Sequence, residues 1–170
     1  MLSACSEPPN KEHEQAEAAV AAARTADAAT YAPEGLQAAE AALQKYDEAV
    51  AQRDYRQALN LAIDARDRAY EAAKQASDAK TAARNQANLL ISEINGLTAT
   101  ANARLAGAPP RPNPQAADRM RTALKTAATA VQEARSLIER EDYRGAILRL
   151  TPAVEGLRRE VPPAPGRRGR

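Results

Sequence analysis

Apolar positions recur at alternating three- and four-residue spacing over most of the chain. Leu36, Ala39, Leu43, Tyr46 and Val50 keep that rhythm, which puts them on one stripe of a helix and predicts the seam of an antiparallel helix pair. After Gln52-Arg53-Asp54 the rhythm restarts as Tyr55, Ala58, Ala62, Ala65, Ala69, Ala72, Ala76 and Ala79. The same arrangement returns later, with Ala117, Met120, Leu124, Ala127, Val131, Ala134 and Ile138 followed by Tyr143, Ala146, Leu150, Ala153 and Leu157. The turn is repeated too: Arg53-Asp54-Tyr55-Arg56-Gln57-Ala58-Leu59 is answered by Glu141-Asp142-Tyr143-Arg144-Gly145-Ala146-Ile147. Two helical hairpins are expected, each with an Asp placed to cap its second helix. Asp54 is positioned to accept from the N–H of Arg56 or Gln57, and Gln57 completes a capping-box pattern. Tyr55 and Tyr143 read as aromatic wedges closing the hairpins, with a ligand contact as the alternative.

The rest of the chain supplies helices around these hairpins. Asn10 is the expected N-cap of a helix from Lys11 to about Thr30, with Glu12, Glu14 and Glu17 near its positive end. Pro33 opens the next helix at its first turn. A third runs from Tyr55 to about Ala106 without a proline, roughly 75 to 80 Å if unbroken, and Asn95-Gly96 is its weak point. Past Ala79 the seam shifts through Ala83 and Ala87 to Leu90, Ile94, Leu97 and Ala101, a change of face. The prediction is an all-α antiparallel bundle of about five helices, two three-helix units sharing one long helix, a plan similar to spectrin-type arrays. Residues 1–10 form a tether, 11–81 the first unit, 82–160 the second, and 161–170 a disordered basic tail of Pro, Gly and Arg. The Pro-rich stretch from Ala108 to Pro114 reverses the chain, and the last helix, Tyr143 to about Glu160, should kink or break at Pro152.

Composition narrows the functional classes. The 170 residues include no Phe, no Trp and five Tyr, and the 44% hydrophobic fraction is largely alanine. Each buried methyl contributes only about 0.8 kcal/mol, so stability has to accumulate over long helices. Bulky walls for a nucleotide or cofactor pocket are scarce, so no cofactor is expected. The absence of period-two alternation argues against a sheet. There is no Ser/His/Asp or Cys/His set, no phosphate-cradling Gly loop and no CxxC, so an enzyme is not expected. His13, the single histidine, has only Glu17 on its helix face, too few ligands for a metal, and is expected to be exposed. Acidic helix positions read as paired, Asp64 with Arg68 and Glu71 with Lys74.

Charge is unevenly spread. Residues 1–100 hold 10 Lys and Arg against 15 Asp and Glu, and residues 101–170 hold 14 against 7. Such asymmetry points to different neighbours for the two halves, or to ordinary solvated helix faces. On the first view the basic half binds polyanions through Arg104, Arg111, Arg119, Arg121, Lys125 and the tail residues Arg167, Arg168 and Arg170. In an envelope the ligand would be lipopolysaccharide, anionic lipid or wall polymer. Nucleic acid, the equivalent in a cytoplasm, is disfavoured because that half offers no stacking aromatic beyond Tyr143.

At the N-terminus Leu2-Ser3-Ala4-Cys5 resembles the lipobox of bacterial lipoproteins, in which an apolar residue and two small ones precede a Cys that is diacylated and then freed as the new N-terminus. The resemblance implies a lipid on Cys5, given an upstream signal sequence, and Ser6 after the Cys implies sorting to the outer membrane. The sole cysteine cannot form an intramolecular disulfide. No run of eighteen apolar residues exists to span a bilayer. The lipobox, the Tyr31-Ala32-Pro33 turn and the Ala-rich hairpin around Asp54-Tyr55-x-x-Ala58 together resemble the bacterial envelope lipoproteins grouped as domain of unknown function 4398 (DUF4398), most clearly over about residues 11–80. The Asp-Tyr-x-x-Ala step is also similar to tetratricopeptide repeats, whose period of about 34 residues does not fit copies 88 apart. The expectation is a non-catalytic, lipid-anchored protein on the periplasmic face of the outer membrane, acting as a spacer or as an adaptor for an envelope protein partner. Its alanine seams are also compatible with a homodimer.

Overall fold

The computed structural model describes residues 7–161, and within them the chain is all helical: α1 (Asn10–Thr25), α2 (Ala28–Tyr31), α3 (Pro33–Ala51), α4 (Tyr55–Leu105), α5 (Pro114–Glu139) and α6 (Tyr143–Glu160). The fold is an all-α helical bundle. Two compact units divide it between Thr81 and Ala82. Among the described residues no helix is long and apolar enough to cross a membrane.

Unit 1 packs α1, α2 and α3 on the first part of α4. Ala58, Ala62, Ala65, Ala69, Ala72 and Ala76 are all essentially inaccessible, an unbroken four-three alternation. With so little side chain at the seam the backbones approach closely. Ala16, Ala42 and Ala65 meet as one cluster, and Tyr46 and Ala49 meet Ala58 and Ala62 as another. A Cβ added at Gly35 would stand 3.1 Å from the Ala72 Cβ, so the glycine is what lets α3 start this near to α4. On α3 the deepest positions are Leu36, Ala39, Ala42, Tyr46 and Ala49, whereas Leu43 and Val50, expected in the seam, are half-buried beside it. The smaller neighbour takes the point of closest approach.

Three expectations for this unit are corrected. Asn10 is the first helical residue rather than the cap: its N–H donates to the Pro8 carbonyl at 2.8 Å, and no side chain caps α1. The first helix stops at Thr25 instead of continuing to Thr30. Asp27 adopts the left-handed region (φ 61°) and its carboxylate accepts from Lys80 Nζ at 2.7 Å, so a long-range ion pair holds the break that local propensity opposes. His13 is not exposed. Its ring stacks on Tyr46, centroids 4.3 Å apart, with the side chain 25% accessible.

Unit 2 packs the remainder of α4 with α5 and α6 around larger side chains. Ala87, Ile94 and Ala101 fall seven residues apart on α4, and Ile94, Leu150, Val154 and Leu157 fill the centre. Between Ala76 and Ala87 no residue is fully buried. The helix is continuous through Asn95-Gly96. It ends at Gly107 (φ 107°), whose N–H and that of Ala108 donate to the carbonyls of Arg104 and Ala103. Asn113 then caps α5 through Ala116 N–H at 2.8 Å, and Pro114 occupies its first position. The expected break at Pro152 is absent. α6 runs through it, because Pro152 is exposed and Leu148, whose carbonyl loses its partner, is 73% exposed, so water can replace the missing N–H.

Candidate functional site

Both repeated turns are built the same way around an Asp-Tyr pair. In the first, Arg53 takes the left-handed conformation (φ 60°), the Arg53 N–H donates to the Val50 carbonyl, and the Asp54 N–H donates to the Ala49 carbonyl. In the second, Glu141 (φ 60°) donates to Ile138 and Asp142 to Leu137. This six-to-one and five-to-two pairing is a Schellman closure, here with charged residues where glycine is favoured. The Asp then turns to the next helix. Asp54 Oδ1 accepts from Gln57 N–H at 2.9 Å, and Asp142 Oδ1 from Gly145 N–H at 2.8 Å. One residue thus ends one helix with its N–H and starts the next with its carboxylate. The reciprocal half of the expected capping box cannot form in the first copy, since the Asp54 N–H is already spent on Ala49. At the matching position the second copy has Gly145, where an added Cβ would meet the Asp142 carboxylate. The first copy makes the same cap with Gln57, so the carboxylate has to sit differently to accommodate a side chain there.

The two tyrosines do not share a fate. Tyr143 is buried, as a wedge requires, while Tyr55 is only half-buried, and Tyr46 on α3 takes the deep aromatic place in unit 1. Tyr46 is held neutral to higher pH than an ordinary tyrosine, first by burial and then by the nearby Asp47, Glu12 and Glu17 carboxylates. Tyr55 instead lines a surface groove of about 540 Å³ with Glu7, Pro9, Arg53, Arg56 and Leu59.

A second groove lies between α5 and α6 in unit 2, about 560 Å³, over Thr122, Ala123, Thr126, Pro152 and Gly156. It continues past Thr126 and Pro152 towards the exposed Leu148. Small residues one turn apart on both helices open it. Thr122 and Thr126 donate their hydroxyls to carbonyls of their own helix, so they offer the groove little free donor capacity. No motif marked these residues in the sequence. The available signal was the matched spacing of small side chains on two helices, readable only once their register is known.

The expected polyanion contacts are dispersed and mostly engaged. Arg104 is buried. Arg111 donates to the Gly107 carbonyl at 2.7 Å and fastens the linker. Arg119 pairs with Glu160 at 3.2 Å and Arg121 with Asp118 at 2.7 Å. Lys125 is exposed beside the Leu148 end of the groove. Arg167, Arg168, Arg170 and the lipid-attachment candidate Cys5 lie outside the described residues. Of the acidic pairs, Asp64–Arg68 forms at 2.7 Å, but Lys74 pairs with Asp78 rather than Glu71, which accepts from Gln75. His13 Nε2 stands 3.9 Å from Glu17, and among the described residues no group of three His, Cys, Asp or Glu is gathered for a metal. Comparison of the chain with protein-family models, curated proteins and solved structures finds no match.

Proposed function

We propose that the protein is a non-catalytic, lipid-anchored component of the bacterial envelope, related to the DUF4398 lipoproteins, that serves as a spacer or protein–protein adaptor. The lipid is carried by Cys5, and the protein resides on the periplasmic face of the outer membrane. The observation that carries the adaptor role is the α5–α6 groove of unit 2, an open cleft floored by Ala123, Pro152 and Gly156 and extending to Leu148, which is 73% exposed. The interior itself is committed to helix packing, by buried alanines in unit 1 and by Ile94, Leu150, Val154 and Leu157 in unit 2. A partner's apolar segment would bury the groove floor, with the Arg119–Glu160 pair at its rim providing polar recognition.

Polyanion binding by the basic half draws less support, because Arg104, Arg111, Arg119 and Arg121 already have structural employment. The anchor is tested by expressing the gene with its upstream DNA in a Gram-negative host and fractionating the cells. The native chain is expected in the membrane fraction and Cys5→Ala in the soluble one. A native chain found only in the soluble fraction would refute the anchor.

A further inference from the structure

The start of the described chain and the α3–α4 turn meet at one end of unit 1. Glu7 and Pro9 share a groove of about 540 Å³ with Arg53, Tyr55, Arg56 and Leu59. The chain is fixed there from Pro8 onward: the Asn10 and His13 N–H groups donate to the Pro8 and Pro9 carbonyls, and His13 stacks on Tyr46 of α3. Cys5 precedes Pro9 by four residues, a reach of at most about 14 Å. A lipid at Cys5 therefore brings this end of unit 1, and not the end where α3 begins, to the bilayer surface.

What that end presents suits a headgroup layer. Arg53 and Arg56 are exposed, Tyr55 and Leu59 are half-buried, and Asp54, which also lines the groove and is exposed, turns one carboxylate oxygen to the Gln57 N–H. Guanidinium groups match phosphate oxygens in a two-point geometry, and a tyrosine with one wet edge is at home at a membrane interface. Glu7 and Asp54 balance Arg53 and Arg56 in the groove lining, so the approach depends on the tether and not on long-range attraction, and the arginines act at short range. We propose that the α3–α4 turn is a lipid-headgroup contact, with Arg53 and Arg56 on headgroup phosphates and Tyr55 at the interface. This rests on the reading of Cys5 as the anchor.

The chain has one Cys and no Trp, which permits a clean test on the full chain. Cys5 is coupled chemically to a maleimide phospholipid in phosphatidylglycerol-containing vesicles that carry a nitroxide on a fraction of the headgroups. Tyr55→Trp places an indole at the turn, and Gln37→Trp places one on the exposed face of α3, about 20 Å along the helix from its end. Quenching is expected to be at least about twofold stronger at 55 than at 37, and to weaken clearly at 55, with 37 unchanged, when Arg53→Gly and Arg56→Glu are added. Glycine suits the positive φ at 53 and an acid suits the first turn of α4, so the double change leaves the fold in place, as circular dichroism would verify. Equal quenching at the two positions, or quenching at 55 indifferent to the double change, would overturn the proposal. Because the coupling is synthetic, the vesicle result is independent of whether cells acylate Cys5, and the two readings fail separately.

Discussion

Single residues in this protein are asked to do two jobs at once, and the turn aspartates are the clearest case. Their N–H groups close one helix while their carboxylates cap the next. Asp142→Ala removes the cap and should cost about 1 kcal/mol by chemical denaturation. Arg53 bears the opposite burden, a left-handed backbone that an L side chain adopts at a cost. Arg53→Gly is expected to stabilise by about 0.5–1 kcal/mol, the relief of that strain less the entropy of glycine. The tyrosines separate by burial: Tyr143→Ala should cost about 3 kcal/mol and Tyr55→Ala nearer 1, measured on the same denaturation curves. Equal losses would show that Tyr55 is as deep a wedge as Tyr143. Tyr46 adds a pH dependence. Its folded-state pKa is raised above the usual value of 10.0, so between the two values the folded chain keeps a proton that the unfolded chain has lost. The corresponding stability is complete below about pH 10 and declines as pH climbs through the raised value. Melting from about pH 8 to pH 11 should show that decline, and Tyr46→Phe should flatten part of it.

At the scale of elements, alanine is the organising residue. Seams with little side chain bring α3 and α4 close together, and Gly35 stands directly against Ala72. Gly35→Val should overpack that contact and destabilise by about 1–3 kcal/mol, whereas the same change at Gly96, where an added Cβ meets nothing within 4 Å, should cost only the ordinary helix preference. These seams were legible in the sequence because alternation by three and four leaves a helix face no alternative. Ala58 to Ala76 and Ala117 to Leu157 stand largely where their spacing puts them, and the start of α3 at Pro33 follows from its fixed φ. What was not legible depends on partners remote in the chain. Asp27 breaks α1 with the help of Lys80, fifty-three residues away. His13 leaves solvent because Tyr46 offers it a ring. Pro152 stays inside α6 because its neighbour's carbonyl faces water, a matter of burial that residue order does not encode. The α5–α6 groove was hidden for the same reason, since Thr122 and Gly156 are unremarkable until two helices set them side by side.

The whole molecule joins two units with differently composed cores, one nearly all alanine and one filled by Ile94, Leu150, Val154 and Leu157. On the proposed reading the first unit lies at the lipid and the second offers the groove. Adaptor function then divides cleanly between them. Gly156→Leu would put a side chain into the groove, starting from a position where an added Cβ meets nothing within 4 Å, and an unchanged melting temperature would verify that the core is intact. The substitution should leave membrane residence unchanged while abolishing cross-linking to a partner from an azide-bearing residue at Thr126. Loss of membrane residence in that variant would place the groove in anchoring instead. The central claim, a lipid on Cys5, is tested most directly by the mass of the N-terminal peptide recovered from the membrane fraction of cells expressing the gene with its upstream DNA. The account predicts a peptide beginning at Cys5 and carrying a lipid-sized mass increment. An unmodified peptide retaining Met1-Leu2-Ser3-Ala4 would contradict it.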